Sequence, residues 1–228
     1  EVNGWSMEDV RAARLTGEHC NLIGKAPDII QGLKDYGIYL SCGPNYLHDT
    51  RDWIKDYGPQ IEPFILPFKT WLDSGVKLVG QHYGARARDQ GTARFQPPFY
   101  LMWLSTTRQF DGEVWQPEER IDRVQALKMY STWASEYVLK EDKLGSLEEG
   151  KFADLLVIDR DYFTIPVDDI LKIRPLMTMV GGKMVVLQES LAEDFGMQAV
   201  GPAYTFADED VEHIGKPRSE IVEMFAGN

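Results

Sequence analysis

The chain has little of what nucleic-acid or anionic-membrane binding requires. Its 228 residues carry 24 Lys and Arg against 36 Asp and Glu, a formal charge of −12, and neither partner is held without clustered cations. No apolar run approaches a membrane span, and no charged segment followed by an apolar stretch opens the chain. The sequence therefore reads as soluble, and its first residue, Glu1, suits a chain that begins partway through a longer protein. Cysteine is scarce. Cys20 and Cys42 sit in apolar, strand-like stretches without Cys-x-x-Cys spacing, which predicts buried free thiols and fits a reducing, cytoplasmic setting better than secretion. Histidine is scarce too: His19, His48, His82 and His213 contain no His-x-His pair. There is no internal repeat and no low-complexity segment.

What is present reads as alternating strands and helices, enough for one domain or one and a half. Strand-like runs cover 14–20, 37–42 and 76–82. Between the first two, Pro27 to Tyr36 has apolar residues at helical spacing, and Gly37 follows as a stop. Strand, helix, strand at this spacing is a βα repeat. The stretch after the second strand holds His48, Trp53, Pro59, Pro63 and Pro67; its prolines predict a loop at a strand's C-terminal end, where βα enzymes keep substrate contacts. A short helix is expected over 68–74, and another over 98–109. Arg86 and Arg88 lie in a polar loop after the third strand and, with His48 and Trp53, are candidate pocket residues. Asp122 with Gln125 reads as a capping box opening one helix, with Val124, Leu127, Tyr130, Ala134 and Val138 as its apolar stripe.

Near Asp142 the helical period gives way to a β pattern. Lys143 to Val186 holds a glycine-punctuated turn (145–151), a strand from Ala153 to Asp159, and Val180-Gly181-Gly182-Lys183, whose paired glycines mark a tight hairpin. Residues 188–228 form an acidic extension with nine acids against Lys216 and Arg218. Phe195, Tyr204, Phe206, Ile221, Val222 and Phe225 give it apolar anchors, so a solvated appendage and a packing or homo-oligomer arm both remain open.

Taken in order, these elements resemble the second half of the amidohydrolase family 3 proteins, the group that includes N-substituted formamide deformylases. The resemblance runs from about Arg14 to Leu187 and is carried by Glu18-His19, by Trp115 to Ile121 (WQPEERI), by Gln125 to Tyr130 and by the closing segment. It implies an α/β fold: residues 1–142 as the C-terminal part of a (β/α)8 TIM barrel, about strands six to eight, 143–187 as part of a small composite β-sandwich, and 188–228 as an extension. It implies a metal-dependent hydrolase acting on a non-peptide C–N bond of a small-molecule substrate, with a divalent metal, zinc by expectation, held in part by His19. A neutral imidazole at the end of a barrel strand is a sound zinc ligand. Strand alternation would put His19 on the face of Gly17 and Leu15, leaving Glu18 and Cys20 on the other.

The chain departs from the family pattern in two places. Where strand eight usually ends in Gly-Ser-Asp, its Asp the general base, this chain has Gly80-Gln81-His82, so His82 is the candidate catalytic residue. An imidazole can accept a proton, but it lacks the negative charge that positions a hydroxide. Where strand seven shows Ser-x-Gln-Pro, this chain has Ser41-Cys42-Gly43-Pro44. The family's His-x-His pair and strand-five His have no counterpart here, and a catalytic zinc takes three protein ligands. The expected partner is therefore the missing N-terminal half of the barrel, on the same or a separate chain. The alternative is a non-catalytic scaffold or subunit that has lost the strand-eight Asp. An independent binding module would leave parallel-strand edges uncovered.

Overall fold

The computed structural model describes residues 4–81, 98–110 and 112–203. Helix α1 (Met7–Ala12) opens on a capping box between Ser6 and Asp9 and leads into strand β1 (Thr16–Glu18). The strand is shorter than the run 14–20 predicted because Arg14 (φ 48°) and His19 (φ 53°) leave the extended region on either side of it. Helix α2 (Pro27–Tyr36) begins with proline and ends on Gly37 at φ 66°, as the sequence pattern required. Strand β2 (Tyr39–Cys42) follows.

The proline-rich stretch after β2 is more regular than expected. Two 3-10 helices, Pro44–Asp49 and Pro59–Phe64, flank helix α3 (Thr50–Tyr57). Pro44 and Pro59 occupy first helical positions, where the missing N–H costs nothing; these prolines start turns instead of breaking them. Helix α4 (Phe68–Asp73) and strand β3 (Lys77–Gly80) come next. Strands β1, β2 and β3 form a parallel sheet in that order.

The register pairs Glu18 with Ser41 and Ser41 with Val79. Thr16, Glu18, Tyr39, Ser41, Lys77 and Val79 therefore share one face, and Gly17, Leu40, Cys42, Leu78 and Gly80 the other. Leu40, Cys42 and Leu78 belong to the main core with Phe68, Trp71, Leu101 and Leu104. Helix α5 (Pro98–Thr107) contributes that core's densest buried run, and the short hairpin of β4 (Gln109–Phe110) and β5 (Glu113–Val114) follows it. The guanidinium of Arg108, fully buried, donates to the carbonyls of Leu66 and Trp115 and to Gln116 Oε1 at 2.8–3.0 Å. Burial lowers its pKa to about 10, so it stays charged at neutral pH and ties α5 to the segment after β2.

Asp122 and Gln125 make the reciprocal cap that the sequence signalled. The single helix expected beyond it is two: α6 (Arg123–Met129) and α7 (Thr132–Tyr137), separated at Ser131 (φ −134°, ψ −97°). The break shifts the buried positions to Ala126, Met129 and Ser135, and leaves Val124 and Val138 exposed. Helix α7 reaches the polar face of the parallel sheet, where Glu136 bonds Tyr39 and Lys77 and Tyr137 bonds Glu18.

A second, antiparallel sheet holds β6 (Leu155–Ile158), β7 (Pro175–Val180) and β8 (Lys183–Leu187). Val180 pairs with Lys183 across Gly181 (φ 56°) and Gly182 (φ 76°), the two-residue hairpin expected. Met177, Leu187 and Ala192 of helix α8 (Glu189–Asp194) form its small core. The β6–β7 connection returns to the main body: Tyr162, Ile170 and Ile173 are buried there, and Arg123 donates to the carbonyls of Tyr162 and Ile165. In the extension, Phe195 is exposed; the anchors from Tyr204 onward lie outside the described residues. Among the described residues, no helix is long and apolar enough to cross a membrane.

Glu119 is the acidic counterpart of Arg108. It is 1% exposed and accepts from Thr70 N (2.9 Å), Thr70 Oγ1 (2.6 Å) and Lys25 Nζ (3.2 Å). Burial alone would raise its pKa, but the Thr70 hydrogen bonds and Lys25 outweigh it and hold the value below the usual range. A depressed folded-state pKa gives stability that is present above the unfolded value of about 4.3 and lost as pH falls through the folded one. Glu119→Gln should therefore melt lower than the parent at pH 7, and the gap in Tm should close on acidification below about pH 4. Thermal melts across that range check it; a gap independent of pH would refute the ionised role.

Candidate active site at the rim of the parallel strands

Parallel pairing brings the C-terminal ends of β1, β2 and β3 to one rim, the position at which βα folds place ligands. His19 is the first residue past β1. Its positive φ turns the chain sharply, its carbonyl accepts from Asn21 N at 2.6 Å, and its ring meets Tyr46 edge-on at 5.9 Å. Glu18, just before it, accepts from Tyr137 Oη and, at 3.3 Å, from Gln81 Nε2 at the end of β3. The polar face of the sheet is thus cross-linked at its rim from the first strand to the third.

The turn at His19 corrects two expectations. Strict alternation put Glu18 and Cys20 on one face, yet Cys20 is fully buried in the core with Leu40 and Cys42 while Glu18 faces Tyr137. The left-handed residue between them interrupts the period of two. Cys20 and Cys42 are also not free thiols: they form a disulfide with a Cα separation of 5.4 Å, within the range that such a bond spans. The parallel register brings these residues together across 22 positions of sequence, which apolar context alone could not reveal.

The other candidates divide. His48 Nε2 bonds Tyr100 Oη, and its ring stacks on Tyr100 and meets Phe110 edge-on at 5.5 Å; it is built into the wall formed with α5. Trp53 is half-buried against the main core. His82, Arg86, Arg88 and His213 lie outside the described residues. Among the described residues, no group of three or more His, Cys, Asp and Glu is placed to hold a metal ion, so His19 is not joined by a ligand set here.

Residues that sequence reasoning passed over stand out by what they lack. Asn21 Oδ1, Asn45 Oδ1 and Gln81 Oε1 are buried and have no hydrogen-bond partner, and each lies within three residues of the end of a different parallel strand. Native proteins pair the great majority of their buried polar atoms; here Thr50 Oγ1, Trp115 Nε1 and Glu141 Oε2 are unpaired as well. The sequence signal, a carboxamide just past an apolar run, is too common to have marked them. The Tyr130 hydroxyl is likewise buried without a partner, its pKa raised by burial, and its ring fills the space a side chain at Gly80 would need.

At the opposite end of the strands, Arg11, Arg14, Lys34, Tyr39 and Lys77 line a cleft of about 360 Å³. Three of its four cations are already engaged: Arg14 with Glu141, Lys77 with Glu136, and Arg11 with the Asp35 carbonyl. Arg11 and Lys34 also sit in the last turns of α1 and α2, complementing the helix dipoles. The cleft is accounted for by structure.

The family model described as "Amidohydrolase family" matches residues 2–186. A curated relative, the N-substituted formamide deformylase of Arthrobacter pascens, is 29% identical over 157 residues, which is 67% of this chain and 27% of that protein. The chain thus spans about a quarter of the length of that relative. Among solved structures, an uncharacterized metal-dependent hydrolase from Pyrococcus furiosus superposes with a TM-score of 0.50 at 24% identity, over 69% of this chain and 31% of its own. An adenosine deaminase from Xanthomonas campestris, with bound Zn, gives 0.56 at 12% identity over 92% and 43%. These likenesses show a shared fold.

The disulfide yields a direct test. Alkylation of the unfolded but unreduced protein should block neither Cys20 nor Cys42, and reduction should expose both to the reagent. Mass spectrometry of the peptides containing these residues reads the result; two blocked thiols without reduction would contradict the pairing.

Proposed function

The chain belongs to the amidohydrolase family, and from that membership we propose that it is the C-terminal part of a metal-dependent hydrolase that opens a non-peptide C–N bond in a small amide- or imide-type substrate. The position of His19 carries this reading. It is the first residue past β1, at the rim where three parallel strands end, preceded by a carboxylate that Tyr137 and Gln81 hold in place. In the complete protein a divalent metal, zinc by expectation, would supply an activated water. This chain's share of the ligand set is His19; the described residues contain no complete set, so the remaining ligands must come from elsewhere in the protein.

The sheet supports that division. Among the described residues β1 and β3 each pair only with β2, which leaves an unpaired edge on both sides of a parallel sheet, an arrangement found almost only inside larger α/β folds. On this reading β1, β2 and β3 are barrel strands six, seven and eight, and the absent N-terminal half, on the same or another chain, closes the barrel against them. The body through about residue 142 is then barrel, and the sheet of β6, β7 and β8 is one part of a composite sandwich. His82 takes the place of the general base.

Full-length protein and its His19→Ala variant should differ in bound metal and in amidase activity by at least about a hundredfold; equal metal content by elemental analysis would remove the role given to His19. The presence of His82 where an Asp is usual favours a second reading, a scaffold that keeps the fold without the chemistry. His82→Asp in the full-length protein decides between them. Activity that appears only in the variant supports the scaffold, whereas a parent that hydrolyses amides and loses activity on this change supports an imidazole base.

A further inference from the structure

Two side-chain ties of opposite direction bracket His19. Before it, Glu18 lies on the polar face of the sheet, where Tyr137 Oη and Gln81 Nε2 donate to its carboxylate. After it, Cys20 lies in the core and is bonded to Cys42, the last residue of β2. The chain crosses from one face to the other at His19 itself, at φ 53°, a conformation that residues other than glycine seldom hold unless their surroundings impose it.

The same bond joins the segments that carry two facing rings. Cys20 follows His19 directly, Cys42 stands four residues before Tyr46, and the rings of His19 and Tyr46 meet edge-on at 5.9 Å. Hydrogen bonds accompany the turn, from Asn21 N to the His19 carbonyl at 2.6 Å and from Leu66 N to the Asn21 carbonyl at 3.3 Å. A hydrogen bond can be exchanged for one to water, whereas an Sγ–Sγ bond yields only to thiol exchange or another reductant. Both cysteines are fully buried, so a reductant reaches them when the turn opens.

We propose that the Cys20–Cys42 disulfide is a redox-sensitive positioning tie that holds the His19 ring against Tyr46 at the rim, and that a dithiol releases it. One thiolate of the dithiol attacks the disulfide, the Sγ–Sγ bond breaks and a mixed disulfide forms. The second thiol then closes the reductant's own disulfide. Cys20 and Cys42 become thiols, taking the two electrons and two protons that the dithiol gives up. The proposal rests on the hydrolase reading for the use made of the imidazole, and on the geometry alone for the tie.

The test is 19F NMR of the full-length, metal-free protein carrying 3-fluorotyrosine, with the Tyr46 resonance assigned by Tyr46→Phe. Reduction by dithiothreitol should move that resonance to where it lies in reduced His19→Ala, and in the His19→Ala background reduction should move it far less. Cys42→Ala should give the reduced position and ignore the reductant; if that variant does not fold, the reduced parent, whose side chains are unchanged, decides. A resonance unmoved by reduction, an equal movement in the His19→Ala background, or loss of the far-UV circular dichroism on reduction would overturn the proposal, the last because it makes the bond a general staple. In a protein that binds Zn2+, reduction should also raise the Kd about tenfold to a hundredfold, with Cys42→Ala as the control for the reductant, and equal Kd values would overturn the proposal too. Absence of Zn2+ binding in both forms, with the resonance still moving as expected, would sink the hydrolase reading and leave the tie standing.

Discussion

The parallel pairing of β1, β2 and β3 is the constraint on which the rest of the structure depends. Eleven residues of strand, 3 in β1, 4 in β2 and 4 in β3, are held by ladder hydrogen bonds to a central strand buried at every position. Because the strands run the same way, their carboxyl ends collect at one rim, and residues far apart in sequence become neighbours there. His19, Gly43 and Gln81 each follow a strand end at that rim for that reason alone. The same pairing sends Leu40, Cys42 and Leu78 into the core and turns Tyr39, Ser41 and Glu18 toward α7.

Two buried ions secure the surroundings of that rim. Arg108 satisfies the carbonyls of Leu66 and Trp115 with its planar fork, and Glu119 takes both polar hydrogens of Thr70. Each would be a liability unpaired, and each makes three hydrogen bonds. The rim itself follows the opposite rule. Asn21, Asn45 and Gln81 keep unsatisfied oxygens there, as the Tyr130 hydroxyl does beside Gly80.

The features legible in the sequence share one property, that a few adjacent residues decide them. Pro27 and Gly37 bound α2, Asp122 and Gln125 cap α6, and Gly181-Gly182 turn the hairpin, because φ preferences and local hydrogen bonds act within a turn of chain. The resemblance to the amidohydrolases was legible in the same way, through contiguous stretches such as Glu18-His19 and the closing segment. The single long helix failed as an expectation because periodicity cannot register one turned residue at Ser131. The face assigned to Cys20 failed for the same reason at His19.

The sequence by itself determined the class of the chain: alternating strands and helices, an acidic composition, membership in a hydrolase family, and His19 as the residue to watch. Only the tertiary structure decided that Cys20 bonds Cys42, that His48 belongs to an aromatic wall, and that Asn45 and Gln81 each keep a buried oxygen without a partner. The reason is physical. Propensity and turn chemistry are local and act on a residue whatever lies across from it, whereas a disulfide, a packed ring or an orphaned acceptor is defined by a neighbour that strand register delivers from tens of residues away.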